Sequence, residues 1–312
     1  EISGTIDFLE PNDDSCIQRL RQLIDTFPRD GISPLFRRET PIESQLNPAE
    51  VYGYMSPDPQ APYDVRDVLN CFVDRGTFQE YKAQYGKTVV CGYARWGGFS
   101  VGIVSNQHRQ EKSATAGIQF GGVLYPESAD KAARFILDCN QTWTPIIFLQ
   151  DVYGFMVGKQ AEQSGIIRSG AKLVNAIANS RVPKITVITG GSYGAGNYAL
   201  CGRAFDPRLI FAWPTAKYAV MGARQATATL LDINIAASQR AGRTVDAAEL
   251  EELKRKTMDD YEEQTDIRYA AARGWVDAII DPDQTRDSVI QALTWATRYA
   301  DNVPLKTGVM QV

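Results

Sequence analysis

Two short apolar runs, residues 145–150 (PIIFLQ) and 184–189 (KITVIT), each end in a glycine-bearing turn that opens a helical pattern. Continuous apolar runs of this length fill strands buried on both faces, and such strands belong to sheets with helices packed against them. A turn over 151–158 follows the first run and leads into a helix predicted over 162–180. Ile166, Ile167, Leu173, Val174 and Ile177 lie on the apolar side of that helix. After the second run, Gly190-Gly191-Ser192-Tyr193-Gly194-Ala195-Gly196 leads into a helix ending at Cys201.

The remainder continues the alternation. Residues 127–141 read as a helix with Ala132, Phe135, Ile136 and Cys139 on one face. Residues 88–106 read as a hairpin turning at Gly97-Gly98, since both positions accept a positive φ. Short helices are predicted over 65–72 and 78–85, and a polar loop over 109–122. Strands over 209–213, 217–220 and 275–280 alternate with helices over 223–241, 246–272 and 284–300. The fold class is therefore α/β, with strands covered by helices. Residues 1–60 are less regular. A short helix capped by Asp13-Asp14-Ser15 ends near Phe27-Pro28, and a Pro-, Arg- and Glu-rich stretch reads as a connecting arm to a body over 61–312.

Composition narrows function. Lys plus Arg is 33 against 37 Asp plus Glu, a net charge of −4, which argues against a nucleic-acid binder. No uncharged apolar run approaches the roughly 18 residues of a membrane span. The five cysteines, Cys16, Cys71, Cys91, Cys139 and Cys201, are scattered and read as reduced thiols. His108 is the single histidine, so a Ser-His-Asp triad would have to use it alone, and acid–base chemistry on imidazole is not expected. The chain starts at Glu1 without a signal-like stretch, which reads as a processed chain or a piece of a longer one.

Chemistry is expected at the two glycine turns, one around Gly154-Phe155 and one over 190–196. Glycine brings bare N–H groups to a cavity surface, and a helix N-terminus beyond it adds unpaired donors. Three readings compete for the second turn. A dinucleotide or phosphate loop lacks its required glycine spacing. Glycines chosen for tight strand–helix packing are the second reading. An oxyanion hole, with Ala195 and Gly196 as principal donors, is the third. Charged helix faces such as Arg168 with Lys172 and the run over 249–263 read as solvated.

From Gly154 to Ala226 the sequence GFMVGKQAEQSGIIRSGAKLVNAIANSRVPKITVITGGSYGAGNYALCGRAFDPRLIFAWPTAKYAVMGARQA resembles the carboxyltransferase β subunit of biotin-dependent acyl-CoA carboxylases, of the methylcrotonoyl-CoA and propionyl-CoA type. PYDVRDVL at 62–69, Tyr93-Ala94-Arg95 and GWVDAIIDPDQTR at 274–286 agree in order and spacing. The resemblance implies a crotonase-like (ClpP/crotonase) ββα spiral, here the C domain of a two-domain subunit with its entering arm. It implies carboxyl transfer from carboxybiotin to an acyl-CoA, with biotin carried on a partner and supplying the base. The protein then steadies the oxyanions with backbone amides.

By the same resemblance, Gly194, Ala195 and Gly196 form the hole, and Gly154, Phe155, Tyr193, Asn197 and Tyr198 lie against biotin. The implied partners are a biotin carboxylase and biotin carboxyl carrier subunit, an N-terminal carboxyltransferase domain, and further copies as dimers in a hexameric core. The implied location is the cytoplasm, or the mitochondrial matrix in a eukaryote. Tyr198 stands where propionyl-type members carry an acyl-selecting aspartate, which favours a methylcrotonoyl-like substrate. The 109–126 loop instead resembles the glutaconyl-CoA decarboxylase α subunit, so biotin-dependent decarboxylation is an alternative. An assembly module inactive without its N domain is another. Bulky β-branched replacements of Ala195 or Gly196 are expected to abolish turnover while leaving the fold intact.

Overall fold

The computed structural model describes residues 1–27, 39–56, 58, 61–240 and 247–298. Three strands, β1 (Gln79–Tyr81), β2 (Val89–Trp96) and β3 (Phe99–Asn106), pair antiparallel at one side of the main sheet. The hairpin between β2 and β3 turns at Gly97 and Gly98, as expected, with φ of 57° and 81°. A Cβ at Gly98 would sit 2.1 Å from the Glu39 carbonyl oxygen, so only glycine fits there. The Asp74 carboxylate accepts the N–H groups of Gly97 and Gly98 at 2.8 Å each, and Arg286 donates to it at 2.7 Å.

Beyond β3, a small hairpin forms from β4 (Glu111–Ser113) and β5 (Gly117–Gln119). Next come β6 (Val123–Leu124), β7 (Ile146–Val152), β8 (Gly154–Phe155), β9 (Lys184–Tyr193), β10 (Leu209–Ala212), β11 (Lys217–Ala219) and β12 (Ala278–Ile279). The main sheet runs β1-β2-β3-β7-β9-β10-β12, with β11 also beside β9, and every pairing from β3 onward is parallel. β6 and β8 form a separate parallel pair.

The helices are α1 (Asp13–Thr26), α2 (Val51–Tyr54), α3 (Val65–Asn70), α4 (Pro126–Gln141), α5 (Lys159–Gln163), α6 (Ile166–Asn179), α7 (Gly194–Ala199), α8 (Ala223–Arg240), α9 (Ala247–Thr265), α10 (Ile267–Ala272) and α11 (Thr285–Ala296). Strand alternation sends side chains into two cores. Val90, Ile103, Ile147, Leu149 and Val187 join Phe72, Trp96, Trp213 and Leu293 on one side. Cys91, Tyr93, Val104, Ile146 and Phe148 join Phe135, Ile136, Cys139, Leu173 and Ile177 of α4 and α6 on the other. Each large apolar side chain so buried contributes about 1.5–3 kcal/mol.

Several expectations change. The helix expected over 78–85 is strand β1, because antiparallel pairing with β2 outweighs its local preference and buries Gln79 and Tyr81. The 109–122 loop contains the β4–β5 hairpin. The helix expected over 162–180 breaks at Gly165, whose φ of 91° separates α5 from α6, and Ile167 is 75% exposed rather than packed. β9 extends through Gly190-Gly191 to Tyr193, so the second turn is strand until the helix starts. Asp266 caps α10 and divides the helix expected over 246–272. The N-cap of α1 is Asn12, not the Asp13-Asp14-Ser15 group. The strand over 275–280 pairs only at Ala278–Ile279. The helix expected over 284–300 ends at Ala296, capped by Thr297. Residues 28, 241, 246, 299 and 300 lie outside the described residues.

Candidate active site

The carboxyl ends of β3, β7, β9 and β10, four parallel neighbours, open into a cavity of about 1070 Å³. Ligand crevices in α/β sheets lie at this end of the strands. Tyr63, His108, Asp151, Tyr153, Thr189, Tyr193 and Trp213 line it from the sheet side. Val51, Tyr52 and Met55 of the N-terminal region close one wall, and Gln225 and Glu262 of α8 and α9 another.

Asp151 occupies a break in strand register. Gln150 pairs with Ile188, but Val152 pairs with Ser192, so Asp151 faces the extra residues of β9. Its carboxylate accepts the Gly191 N–H at 2.7 Å and the Tyr63 hydroxyl at 2.9 Å. A Cβ at Gly190 would lie 2.4 Å from Asp151 Oδ1, so this close approach requires glycine. His108, just past β3, places Nε2 3.3 Å from Asp151 Oδ2 and 3.3 Å from the Tyr153 hydroxyl. Nδ1 is buried without a hydrogen-bond partner among the described residues. Tyr63 stacks on the imidazole, centroids 4.8 Å apart and planes within 9°. Burial, then the neighbouring Asp151, pushes the phenols of Tyr63, Tyr153 and Tyr193 up, so all three stay protonated at neutral pH.

The residues expected from sequence fall in two groups. Tyr193 lines the cavity, whereas Gly154, Phe155, Gly194, Ala195, Gly196, Asn197 and Tyr198 lie outside its lining. Gly194, Ala195 and Gly196 are the first three residues of α7, where N–H groups find no partner inside the helix. Ala195 is exposed, Gly194 half-buried and Gly196 buried. The two glycine turns meet: a Cβ at Gly196 would lie 3.1 Å from Gly154 Cα and 2.6 Å from Val152 Cγ2. Phe155 instead lays its ring over Gly170 of α6. Asn197 is turned into the fold, donating to Ser192 Oγ at 2.7 Å and accepting from Tyr218 at 3.3 Å. Tyr198 is 48% exposed and packs edge-on against Phe205.

Tyr63, His108 and Asp151 are not singled out for the site by sequence reasoning. The available signal is positional: His108 and Asp151 both stand at the carboxyl ends of buried strands that turn out to be parallel neighbours.

The sequence profile of the carboxyl transferase domain matches residues 1–309. The chain belongs to the carboxyl transferase family. Among relatives of this carboxyl transferase domain is the biotin-dependent 3-methylcrotonyl-coenzyme A carboxylase beta1 subunit of Mycobacterium tuberculosis. The two are 42% identical over 293 residues, covering 94% of this chain and 52% of the relative. The methylmalonyl-CoA decarboxylase subunit alpha of Propionigenium modestum is 32% identical over 307 residues, covering 97% of this chain and 56% of the relative. The transcarboxylase 12S structure with methylmalonyl-coenzyme A and methylmalonic acid bound superposes with a TM-score of 0.84 at 33% identity, over 99% of this chain and 56% of that one. The geranyl-CoA carboxylase beta subunit of P. aeruginosa gives 0.71 at 33%, over 99% and 56%. These likenesses establish the crotonase-like α/β fold for this carboxyl transferase domain. The chain spans about half the length of the relatives it matches. No helix among the described residues is long and apolar enough to cross a membrane.

Proposed function

We propose that this chain is the biotin-facing C-domain part of an acyl-CoA carboxyltransferase, residues 61–312 forming the domain and 1–60 the arm that enters it. The observation that carries this reading is the meeting of two glycine turns beside the cavity of a carboxyl transferase domain. Gly194 has a φ of 51°, and a Cβ there would lie 2.9 Å from the Val220 carbonyl oxygen, so the start of α7 is built on glycine. Gly154 has a φ of 135° and open space where a Cβ would point, which leaves its backbone accessible. Walls of Tyr63, Tyr153, Tyr193 and Trp213 suit an uncharged fused ring bearing a urea carbonyl, and α7 starts directly after Tyr193.

Biotin, brought by a partner, supplies the carboxyl group and the base. The chain's task is to steady negative charge on oxygen with the N–H groups of Gly194, Ala195 and Gly196. Removing one such donor costs about 2.7–4 kcal/mol in barrier, or 10²–10³ in rate. Tyr193 shapes the mouth, with Gly154, Phe155, Asn197 and Tyr198 around it. The acyl-CoA sits on an N domain supplied by another chain segment or subunit, and Tyr198 favours a methylcrotonoyl-like acyl group over propionyl. Biotin carboxylase and carrier subunits, and further copies paired within a hexameric core, complete the enzyme, in a bacterial cytoplasm or a mitochondrial matrix.

The relation to methylmalonyl-CoA decarboxylase and the β4–β5 hairpin favour a second reading, the same chemistry run as decarboxylation. The test is carboxyl transfer from an ATP-charged biotin carrier to acyl-CoA, with and without the N-domain chain. Transfer only in its presence supports the proposal. ATP-independent decarboxylation supports the second reading, and turnover by the 312-residue chain alone refutes the shared site.

A further inference from the structure

The Asp151–His108 pair has no part in chemistry run on backbone amides, yet the fold builds it with care at the floor of the cavity. Asp151 directly precedes Val152-Tyr153-Gly154, the first glycine turn, and its Oδ1 accepts the N–H of Gly191, three residues before Gly194 in the second. Its Oδ2 accepts the Tyr63 hydroxyl and faces His108 Nε2, which also reaches the Tyr153 hydroxyl. His108 is 7% exposed and Asp151 6%; the Gly191 N–H and the Tyr63 hydroxyl, from separate elements, converge on the one carboxylate, and the imidazole stands beside it. A general base needs an open lone pair directed at its substrate. A carboxylate that accepts from Gly191 and Tyr63 and faces the His108 imidazole is arranged instead to hold those groups in place.

We propose that Asp151 and His108 are positioning residues that fix the two glycine turns relative to each other, so that the amides at the start of α7 keep their aim. The inference rests on the oxyanion reading of those amides. Asp151 anchors the end of β9 through Gly191, and the strand then has only Ser192 and Tyr193 before the helix begins. His108 anchors the residue that opens the first turn, with its ring held flat against Tyr63. The glycine at 190 is the local price of this arrangement, since any Cβ there collides with the carboxylate. A misplacement of about 1 Å at a reacting centre is enough to lower a rate by about 10²-fold.

The test uses the assembled enzyme containing this chain, read by steady-state kinetics and by amide hydrogen exchange of residues 190–196. Asp151→Asn is expected to lower kcat by about 10²-fold while KM for acyl-CoA stays within about twofold. Exchange over 190–196 should quicken, with the rest of the sheet unchanged. His108→Gln keeps an N–H donor near the Nε2 position and is expected to retain most of kcat, whereas His108→Ala falls with Asp151→Asn. Wild-type kcat in Asp151→Asn, or unchanged exchange over 190–196, overturns the proposal. So does His108→Gln as inactive as His108→Ala, because that places acid–base chemistry on the imidazole. If Asp151→Asn does not fold, Tyr63→Phe carries the same test: lower kcat with faster exchange supports the proposal, and wild-type values overturn it. An unmodified assembly without carboxyl transfer would defeat the functional reading instead, and the exchange comparison would still decide the positioning role.

Discussion

Gly196 backs directly onto Gly154: a Cβ at 196 would lie 3.1 Å from the Gly154 Cα and closer still, 2.6 Å, to Val152 Cγ2. The two glycine turns are thus one structural unit, and packing and chemistry divide between neighbouring residues. Gly196 is buried at this contact, whereas Ala195 beside it is exposed.

The expectation that bulky residues at 195 and 196 behave alike therefore splits. Gly196→Val is predicted to lower stability by about 1–3 kcal/mol through overpacking against Val152. Ala195→Val is predicted to leave the urea midpoint near wild type while turnover falls. Equilibrium unfolding of both variants, beside carboxyl transfer by the assembled enzyme, checks this. Equal unfolding midpoints for the two would contradict it.

The buried pair Asp74–Arg286 joins distant parts of the chain. Arg286, from α11, donates to Asp74 at 2.7 Å and to the carbonyl of Ile42 at 2.6 Å, and also to the carbonyl of Phe72. Asp74 and Arg286 are 0% and 7% exposed. Asp74→Ala or Arg286→Met alone is predicted to cost about 3–5 kcal/mol, because each leaves a buried charge without its partner. The double variant should cost clearly less than the sum, as measured by a double-mutant cycle in urea. Additive losses would show that the pair is not coupled.

Lys131 is 1% exposed, and its ammonium nitrogen has no hydrogen-bond partner among the described residues. Burial pulls its pKa from an ordinary 10.5 down to about 8, only partly offset by Cys91. Folding therefore favours the neutral amine, so stability falls as pH drops from 10.5 toward 8 and stays level below that. The penalty at neutral pH is roughly 3 kcal/mol. Lys131→Met, close in volume, is predicted to raise stability at pH 7 by up to that amount, with the gain shrinking toward pH 10. Thermal unfolding across this pH range tests it, and a pH-independent gain would contradict the titration.

Sequence order made the central sheet legible because buried parallel strands announce themselves as unbroken apolar runs. The runs at 145–150 and 184–189 are β7 and β9, and the helix between them carries Leu173 and Ile177 inward as its spacing indicates. Weakly patterned edges were not legible. Residues 79–81 become a strand only because β2 lies alongside, and the break at Gly165 depends on a backbone conformation that spacing alone does not show. The glycine turns are legible because their residues are contiguous along the chain. Asp151 and His108 are not, because their meeting needs β3 and β7 to be parallel neighbours and a register shift at residue 151. Those are properties of the sheet, not of any local stretch.

The proposed oxyanion stabilisation depends on N–H groups at the start of α7, and replacing one amide by an ester removes the N–H while leaving the side chain in place. The decisive measurement is carboxyl-transfer kcat in the assembled enzyme with lactate in place of Ala195, or glycolate in place of Gly196. A fall of about 10²–10³-fold with an intact fold is predicted for at least one of the two positions. Wild-type kcat at both would contradict the account.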